Sequence, residues 1–278
     1  MSAAEKAALR TQISSKLASL TAQQIVAQSA AIFSHLSTIP QYTACRSASI
    51  YLPMDGGKEV DTWPIVADLI SKGASVAIPQ VAGKAATDMR MLRLSSLDQA
   101  KAFPRTKWGI PEPDAATAES MEVATESPEL SLLLVPGVAF DARCGRLGHG
   151  RGYYDAFISR QRALTRPDGT PRLAVIGLAL REQMLDSTAV PMGETDERLD
   201  LIITPDGPLA YTSEEDTAKA AKMMKSSGEQ AASAAAVDVS DGAAEKEEAA
   251  SSSSLPALSL RCEIATGKYK YACLRVSP

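Results

Sequence analysis

Glycine and arginine residues are interleaved in one short stretch of the chain, residues 145–155. Arg146 and Arg151 carry full positive charge there, and the glycines are Gly145, Gly148, Gly150 and Gly152. Glycines let backbone N–H groups approach a ligand closely, and arginines neutralise an anion held by those groups. An apolar, strand-like run, Leu132–Val135, precedes the stretch, and a helical pattern begins near Tyr153. Because a helix N-terminus offers unpaired N–H donors, this order predicts a phosphate cradle.

The spacing of this stretch differs from two common nucleotide-binding loops. It lacks the Gly-Lys-Ser/Thr ending of a Walker A loop, and its G-x-G-x-G spacing is not the G-x-G-x-x-G of dinucleotide-binding folds. A flexible turn with two solvated arginines is the alternative interpretation. Asp155 falls in the first turn of the predicted helix, where it can cap the helix or hold a metal ion that bridges phosphates.

Two helices are predicted within residues 1–40, and the first would carry two more cations. Their apolar stripes are Leu9, Ile13, Leu17 and Leu20 in the first helix and Ile25, Ile32, Phe33 and Leu36 in the second. Lys6 and Arg10 stand one helical turn apart, so both side chains belong to one face. Thr21 and Gln24 fit a capping box at the start of the second helix, and Pro40 ends it.

Short apolar runs alternate with helical patterns along the rest of residues 1–212. The predicted strands are Ala48–Leu52, Ala74–Ile78, Met89–Leu94, Leu132–Val135, Leu173–Leu178 and Leu199–Ile203. The predicted helices among them are Thr62–Ile70 and Tyr153–Leu164. Strands that alternate with helices indicate an α/β fold, so we expect three layers, with a largely parallel sheet covered by helices on both faces.

The composition of the chain changes after residue 212. Segment 213–254 consists mainly of Ala, Ser, Glu and Lys, and carries nine acidic residues against four lysines. Since it offers too little apolar surface to offset the entropy of ordering, we expect a low-complexity, disordered insert. In segment 255–278, two alternating runs, Leu258–Ile264 and Tyr269–Val276, flank a Thr-Gly pair and predict a β-hairpin. The predicted organisation is therefore a domain at 1–212, an insert at 213–254 and a C-terminal hairpin segment at 255–278.

Charge and cysteine usage argue against several classes of function. The chain has a net charge of −4, and because segment 213–254 contributes −5, the remaining residues sum to +1. A body so close to neutral is not expected to bind nucleic acid. No apolar run approaches the ~20 residues of a membrane span. Four cysteines without a C-x-x-C pair, and two histidines, disfavour a Cys/His zinc site.

The N-terminal residues show no secretory signal, because Glu5 and Lys6 are charged and no apolar region follows them. We therefore expect a cytoplasmic protein. We also expect a monomer. A short mitochondrial signal is the alternative, since Ala, Ser, Lys and Arg all occur near the N-terminus.

Five elements of the sequence resemble the 5-formyltetrahydrofolate cyclo-ligase family, also called 5,10-methenyltetrahydrofolate synthetase, and they follow one another along the chain as in the family. The most specific is GRLGHGRGYYD at 145–155, preceded by VPGVAFD at 135–141. The other elements are KAALR at 6–10, SIYLPM at 49–54 with EVDT at 59–62, WGIPEP at 108–113, and Val190-Pro191 with Asp196 and Leu199-Asp200. The resemblance covers residues 6–205.

This resemblance implies an enzyme that cyclises 5-formyltetrahydrofolate to 5,10-methenyltetrahydrofolate with ATP and Mg²⁺, releasing ADP and phosphate. In the family, the γ-phosphoryl group of ATP is transferred to the formyl oxygen, and the N10 amine then displaces phosphate. An amide-like oxygen is a poor leaving group, so it needs this activation. Phosphoryl transfer depends on charge neutralisation and positioning more than on a protein nucleophile.

The resemblance also implies a role for individual residues. On the ATP side these are Lys6, Arg10, Arg146, Leu147, Gly148, His149, Gly150, Arg151, Gly152, Tyr153 and Tyr154, of which Arg146, Arg151 and Tyr153 would take part in catalysis. On the folate side they are Arg10, Leu52, Met54, Glu59, Trp108, His149, Gly150, Arg151, Gly152 and Tyr153. Glu59 would accept N–H groups of the pterin, and Asp155 and Asp196 would ligate Mg²⁺.

Three features depart from the family pattern. Residues 55–58 lengthen the loop before Glu59, so the pterin loop can be shifted. Arg151 stands where the family often has lysine, which keeps the charge but changes the geometry of its contacts. The segments 213–254 and 255–278 lie outside the family core.

Two other classes of function are weighed against the cyclo-ligase. A non-catalytic protein that binds folate or nucleotide on the same fold would be expected to have lost one of the charged residues, and none is missing. An unrelated nucleotide-dependent enzyme is disfavoured by Glu59 and Trp108 on the folate side.

Deletion of residues 213–254 tests the predicted insert. If the segment is a solvated, low-complexity chain, its removal should change the melting temperature by less than about 2 °C and leave activity intact. Differential scanning fluorimetry and a turnover assay on the full chain and the deletion variant give the two readouts. A large fall in either would show that the segment packs against the domain.

Overall fold

The computed structural model describes residues 3–124, 130–164, 173–186 and 189–211. The predicted insert at 213–254 and the predicted hairpin at 255–278 lie outside the described residues. No helix within the described ranges is both long enough and apolar enough to cross a bilayer.

Helices and strands alternate along most of the described chain. The helices are α1 (Ala3–Ala18), α2 (Ala22–Leu36), α3 (Pro40–Thr43), α4 (Trp63–Ser71), α5 (Leu97–Ala102), α6 (Ala115–Ser120) and α7 (Tyr153–Arg162), with a 3-10 turn at Arg181–Gln183. The strands are β1 (Ser47–Ile50), β2 (Ser75–Val81), β3 (Met89–Arg93), β4 (Leu132–Val135), β5 (Ala139–Phe140), β6 (Arg146–Leu147), β7 (Ala174–Leu178), β8 (Leu201–Thr204) and β9 (Gly207–Ala210). Each predicted strand and helix up to residue 204 overlaps one of these elements.

Seven of the strands form one sheet in the order β3-β2-β1-β4-β7-β8-β9. Strands β2, β1, β4, β7 and β8 are mutually parallel, while β3 and β9 pair antiparallel at the two edges. β5 and β6 form a separate antiparallel pair. The edge strand β9 was not predicted, because its sequence begins with Gly207-Pro208, a turn signal, and proline is tolerated at an edge where its missing N–H costs no ladder bond. β8 and β9 form the hairpin at the end of the described chain.

Two apolar cores lie on opposite faces of this sheet. Along β4, Leu132 and Leu134 belong to one core and Leu133 and Val135 to the other, as the two-residue period of a strand requires. Helices α1, α2 and α4 supply Ile13, Ile32 and Val66 to the first core. Helix α7 supplies Phe157 and Ile158 to the second. These contacts confirm the three-layer α/β fold with a largely parallel sheet.

The N-terminal helices are set by local signals that the sequence analysis identified. The Thr21 side chain accepts a bond from Gln24 N (3.2 Å), and Thr21 N donates to Gln24 Oε1 (2.8 Å), so the predicted capping box is confirmed. Ile13 is fully buried on α1. Burial of that stripe orients α1 so that Lys6 reaches Asp196 and Arg10 reaches the carbonyl of Gly148.

Asp141 braces the loop between β5 and β6. Its carboxylate is 3% exposed and accepts three backbone bonds, from Arg143 N (2.9 Å), Gly145 N (2.8 Å) and Val190 N (2.7 Å). A Cβ at Gly145 would lie 2.7 Å from Asp141 Oδ2, which explains the glycine at that position. Asp141 therefore ties the start of the glycine-rich stretch to the segment that carries Asp196.

Replacing Asp141 should destabilise the whole domain. Asp141→Ala leaves buried N–H groups without acceptors, and we expect a loss of about 3 kcal/mol in the free energy of unfolding. Asp141→Asn retains one acceptor oxygen and should lose about half as much. Urea unfolding followed by circular dichroism measures both.

The matched control is Asp98→Ala, which removes an exposed aspartate in the first turn of α5 and should cost no more than about 0.5 kcal/mol. An Asp141→Ala protein as stable as this control would show that the three bonds are replaced by water.

Candidate active site

The predicted site residues collect at the edge of the sheet formed by the carboxyl ends of its parallel strands, next to the point where the strand order reverses. β1 lies between β2 and β4, and the chain builds outward from β1 on one side and from β4 on the other. In open α/β sheets, ligands bind beyond the carboxyl ends of the strands at such a switch point. The loop after β1 carries Glu59, and the connection after β4 carries Arg146, so the two loops flank the switch point.

A buried ion pair lies at the centre of this edge. The Arg146 side chain is 3% exposed, and its Nη2 donates to Asp155 Oδ2 at 2.9 Å. Its guanidinium carbon lies 5.4 Å from the centre of the Tyr154 ring. Arg146 Nε is buried and has no hydrogen-bond partner among the described residues. Since buried N–H groups are rarely left unpaired, this one is available to an acceptor on a ligand.

Close approach of two guanidinium groups, Arg10 from α1 and Arg146 from β6, explains two of the glycines. Arg10 Nε donates to the carbonyl of Gly148 at 2.8 Å. A Cβ at Gly148 would lie 2.9 Å from Arg146 Nη1, and one at Gly150 would lie 3.1 Å from Arg10 Nη2. Gly150 has a φ of 94°, a conformation that side chains disfavour. Two guanidinium groups thus come against one stretch of exposed backbone.

The carboxylates of Asp155 and Asp196 are joined by a short chain of contacts. Lys6 Nζ pairs with Asp196 Oδ2, which also accepts from Gly193 N at 2.7 Å. The next residue, Glu197, donates its backbone N–H to Asp155 Oδ1 at 3.1 Å. Partial burial opposes ionisation of Asp196, but the bonds from Lys6 and Gly193 and the charges of Lys6 and Arg146 outweigh it and lower the pKa of Asp196.

Glu59 lies near enough to Tyr154 for its charge to act on the phenol. Its Oε1 accepts from Met54 N at 2.7 Å. Burial raises the pKa of Glu59 to about 7, although the bond from Met54 opposes the shift. Burial also raises the pKa of Tyr154; the charge of Arg146 opposes that rise and the charge of Glu59 adds to it. Tyr154 therefore experiences both charges, and links the loop after β1 to the stretch after β4.

A loop that carries Trp108 is attached to the loop before Glu59. Asp55 N donates to Gly109 O at 2.9 Å, and Arg105 Nε pairs with Asp55 Oδ2 at 2.8 Å. Trp108 itself is 64% exposed, and the Lys107 ammonium lies 4.3 Å from its ring centre. Lys58, in the lengthened part of the loop, donates to the carbonyl of Leu20. The contacts of Asp55 attach the loop that carries the exposed Trp108 to the loop that carries Glu59.

Comparison with known proteins identifies the family of this chain. A sequence model of the 5-formyltetrahydrofolate cyclo-ligase family matches residues 2–205. The chain belongs to the 5-formyltetrahydrofolate cyclo-ligase family. It is therefore an enzyme, and its class is that of the ligases.

Relatives of this cyclo-ligase family span yeast, mammals and bacteria. A probable 5-formyltetrahydrofolate cyclo-ligase of Schizosaccharomyces pombe is 31% identical over 203 residues, which cover 73% of this chain and 96% of the relative. The 5-formyltetrahydrofolate cyclo-ligase of Mus musculus is 30% identical over 205 residues, covering 73% and 95%. A solved 5,10-methenyltetrahydrofolate synthetase of Aquifex aeolicus shares the fold, with a TM-score of 0.57, 24% identity and coverage of 75% and 93%.

The structure brings most of the predicted residues to this edge, with differences in how they are presented. Lys6, Arg10, Arg146, Asp155 and Asp196 are connected through the contacts described above. Leu52 and Leu147, by contrast, are buried in the apolar core, so little of either side chain faces a ligand.

The tip of the glycine-rich stretch is more open. Arg151 is exposed and makes no ion pair or hydrogen bond with another described residue. Partial desolvation and the charges of Arg10 and Arg146 lower the pKa of His149, so its ring is neutral at neutral pH. Tyr153 donates its hydroxyl to the carbonyl of Gly83 at 3.0 Å, which ties α7 to the loop after β2.

Sequence analysis missed several residues that support the site. Asp141 has no role among the predictions, although aspartate side chains commonly accept N–H groups of the turn that follows them. Tyr51 is buried beside Glu59, and burial together with that carboxylate raises its pKa. The pair Asp55–Arg105 joins two loops that are distant in sequence, so no local pattern could have identified it.

The raised pKa of Glu59 predicts a pH dependence of stability that a glutamine variant removes. The folded-state value of about 7 lies above the ordinary 4.5, so the folded protein holds a proton that the unfolded chain releases between these values. Its stabilising contribution is complete below about pH 4.5 and is lost as the pH rises through 7. Relative to Glu59→Gln, we expect the wild-type protein to lose about 2–3 kcal/mol of unfolding free energy between pH 4.5 and 8.

Urea unfolding at a series of pH values measures this difference. Glu119→Gln, at an exposed position of α6, is the control and should run parallel to the wild type at every pH. A Glu59→Gln curve that also runs parallel would show that Glu59 titrates as an ordinary carboxyl group.

Proposed function

We propose that this ligase cyclises 5-formyltetrahydrofolate to 5,10-methenyltetrahydrofolate in a reaction that consumes ATP, requires Mg²⁺ and releases ADP and phosphate. The observation that carries the proposal is Arg146, a buried guanidinium with an unpaired Nε, set between a carboxylate and Tyr154. Such a group is suited to an anionic oxygen that arrives with a substrate, because a charge-assisted bond would complete its hydrogen bonding.

The phosphates of ATP are proposed to bind against the glycine-rich stretch. Lys6, Arg10 and Arg146 supply positive charge on one side of it, and the N-terminus of α7 faces it from the other. Arg151, exposed at the tip of the stretch, is free to meet a phosphate from the solvent side. Gly148, Gly150 and Gly152 keep the backbone clear of side chains. His149, Tyr153 and Tyr154 would complete the nucleotide contacts, together with the backbone of Leu147.

The folate is proposed to bind between the loop after β1 and the Trp108 loop. Glu59 would accept N–H groups from the pterin, and such bonds would favour its charged form over the neutral form that burial favours. Met54 and Trp108 would pack on the flat ring, with Leu52 beneath and Tyr153 beside it. Arg10, His149, Gly150, Arg151 and Gly152 would face the reacting end of the folate.

The chemistry proposed for this site needs no protein nucleophile. The formyl oxygen attacks the γ-phosphorus, the bond to the ADP oxygen breaks, and ADP leaves. The N10 amine then attacks the activated formyl carbon, loses its proton to solvent, and the C–O bond to phosphate breaks. Arg146, Arg151 and Tyr153 would neutralise and orient the transferring group, which is the main requirement of phosphoryl transfer.

Asp155 and Asp196 are proposed to hold Mg²⁺ together with the phosphates. Within the described residues no group of three or more His, Cys, Asp or Glu side chains could enclose a metal ion. Two carboxylates fit Mg²⁺ nevertheless, because this ion usually keeps several waters and binds one or two carboxylates plus substrate phosphates. When bound, the ion would supply positive charge to the phosphate oxygens.

A spectrophotometric assay tests the proposed function. The purified protein is mixed with 5-formyltetrahydrofolate, ATP and Mg²⁺, and the near-ultraviolet band of methenyltetrahydrofolate is followed. A rise that requires all three components supports the proposal. Binding of folate or ATP without any rise would favour a non-catalytic relative of the same fold.

Asp155→Asn should abolish turnover more than it weakens folate binding. Loss of the carboxylate charge would remove a proposed metal ligand, so we expect kcat to fall by about 100-fold or more. The Kd of 5-formyltetrahydrofolate, measured by calorimetry, should change by no more than about 3-fold.

Two further variants separate a metal role from a structural one. Asp155→Glu keeps the charge next to Arg146 and should unfold at the temperature of the wild type, while Asp98→Asn changes an exposed carboxylate of α5 and should leave turnover unaltered. Wild-type turnover in Asp155→Asn would remove Asp155 from the proposed metal site.

A further inference from the structure

Segment 193–200 connects the two proposed metal ligands: it contains Asp196, and it hydrogen-bonds to Asp155. Glu197 donates its backbone N–H to Asp155 Oδ1 at 3.1 Å. The preceding residue, Asp196, pairs with Lys6 and accepts from Gly193 N at 2.7 Å. A displacement of this segment would therefore disturb both carboxylates at once.

Arg162, in the last turn of α7, forms ion pairs with two side chains of this segment. Its Nη1 lies 2.8 Å from Glu197 Oε2, and its Nη2 lies 3.0 Å from Asp200 Oδ1. The other oxygen of Asp200 accepts from Val175 N at 2.8 Å. Because Val175 belongs to β7, the carboxylate of Asp200 that pairs with Arg162 is attached to the sheet.

The geometry of α7 explains why this arginine can act on Asp155 without touching it. Arg162 follows Asp155 by about two helical turns, so both residues lie on one face of the helix. Helical side chains lean toward the N-terminus, and that of Arg162 therefore reaches back along this face. Glu197 completes the link, since its backbone binds Asp155 and its side chain binds Arg162.

We propose that Arg162 is a positioning residue for the nucleotide and metal side of the site. It fixes the segment 196–197, and through it the orientation of Asp155 and the place of Asp196, without contacting either substrate. The inference rests on the proposed function, because it assigns Arg162 to the MgATP half of that reaction.

Loss of Arg162 is expected to loosen the segment without unfolding the protein. Its side chain and that of Glu197 are 28% and 25% exposed, and partly exposed ion pairs contribute little to stability. Two other bonds keep the segment on the loop after β5: Leu199 N donates to Cys144 O at 3.0 Å, and Arg198 Nη1 donates to Arg143 O at 2.9 Å. Small displacements of positioned groups nevertheless lower reaction rates strongly.

Steady-state kinetics of three variants test the proposal. We expect Arg162→Ala to raise the KM for MgATP, and the Mg²⁺ concentration that gives half-maximal rate, by about 10-fold. The KM for 5-formyltetrahydrofolate should change by less than about 2-fold. Arg162→Lys can pair with one carboxylate at a time and should recover part of the loss. Arg181→Ala breaks an ion pair with Asp206 outside the site and should behave as the wild type.

A second readout does not depend on turnover. Calorimetry with MgADP, in the absence of folate, should show weaker binding to Arg162→Ala than to the wild type and to Arg181→Ala. In ¹H–¹⁵N spectra, the amide of Glu197 should shift in Arg162→Ala, because its bond to Asp155 is altered.

These measurements separate the inference from the proposed function. If the wild type binds MgADP but does not cyclise 5-formyltetrahydrofolate, the proposed function fails, and weaker MgADP binding by Arg162→Ala still supports the positioning role. Equal MgADP affinity in Arg162→Ala and the wild type would overturn that role, as would an equal rise in the KM for both substrates. A wild-type protein that binds no MgADP would overturn both proposals.

Discussion

A positively charged side chain buried at the carboxyl edge of a sheet must be compensated, and much of this site is arranged around that requirement. Arg146 is compensated in part by Asp155 and faces the ring of Tyr154, while its Nε stays unpaired among the described residues. A buried guanidinium is costly to desolvate, and removal of a partner leaves an uncompensated charge. Both Asp155 and Tyr154 lie in the first turn of α7, so the position of this helix is coupled to the ion pair.

The surrounding backbone makes this burial possible. Asp141 accepts two N–H bonds from the turn between β5 and β6 and a third from Val190, and so braces the strand pair that carries Arg146. Glycines at 148 and 150 leave room for the guanidinium groups of Arg146 and Arg10, which a Cβ at either position would meet at 2.9 or 3.1 Å. The same glycines leave backbone N–H groups accessible, as a phosphate site requires.

Two carboxylate–cation pairs keep the charged groups of the site in place before any substrate binds. Lys6 pairs with Asp196 and Arg146 with Asp155, and the backbone of Glu197 connects the two pairs. Glu59 pairs with no described cation, and burial raises its pKa to about 7. The two parts of the site therefore differ electrostatically: one holds ion-paired carboxylates, and the other holds a carboxyl group whose ionisation is opposed by burial.

Local sequence was sufficient for the longer helices and for most strands of the seven-stranded sheet, because helix caps, strand periodicity and glycine spacing act over a few residues. The capping box at Thr21, the buried strand Leu132–Val135 and the Gly/Arg stretch before α7 were all predictable on that basis. The tertiary structure alone decided the strand order β3-β2-β1-β4-β7-β8-β9, since several orders satisfy the same apolar pattern. That order puts the loops after β1 and β4 on either side of a switch point and brings Glu59, Tyr154 and Arg146 together. Contacts such as Asp55–Arg105 and Arg162–Glu197 likewise join residues far apart in the chain, and their geometry depends on packing that no local pattern encodes.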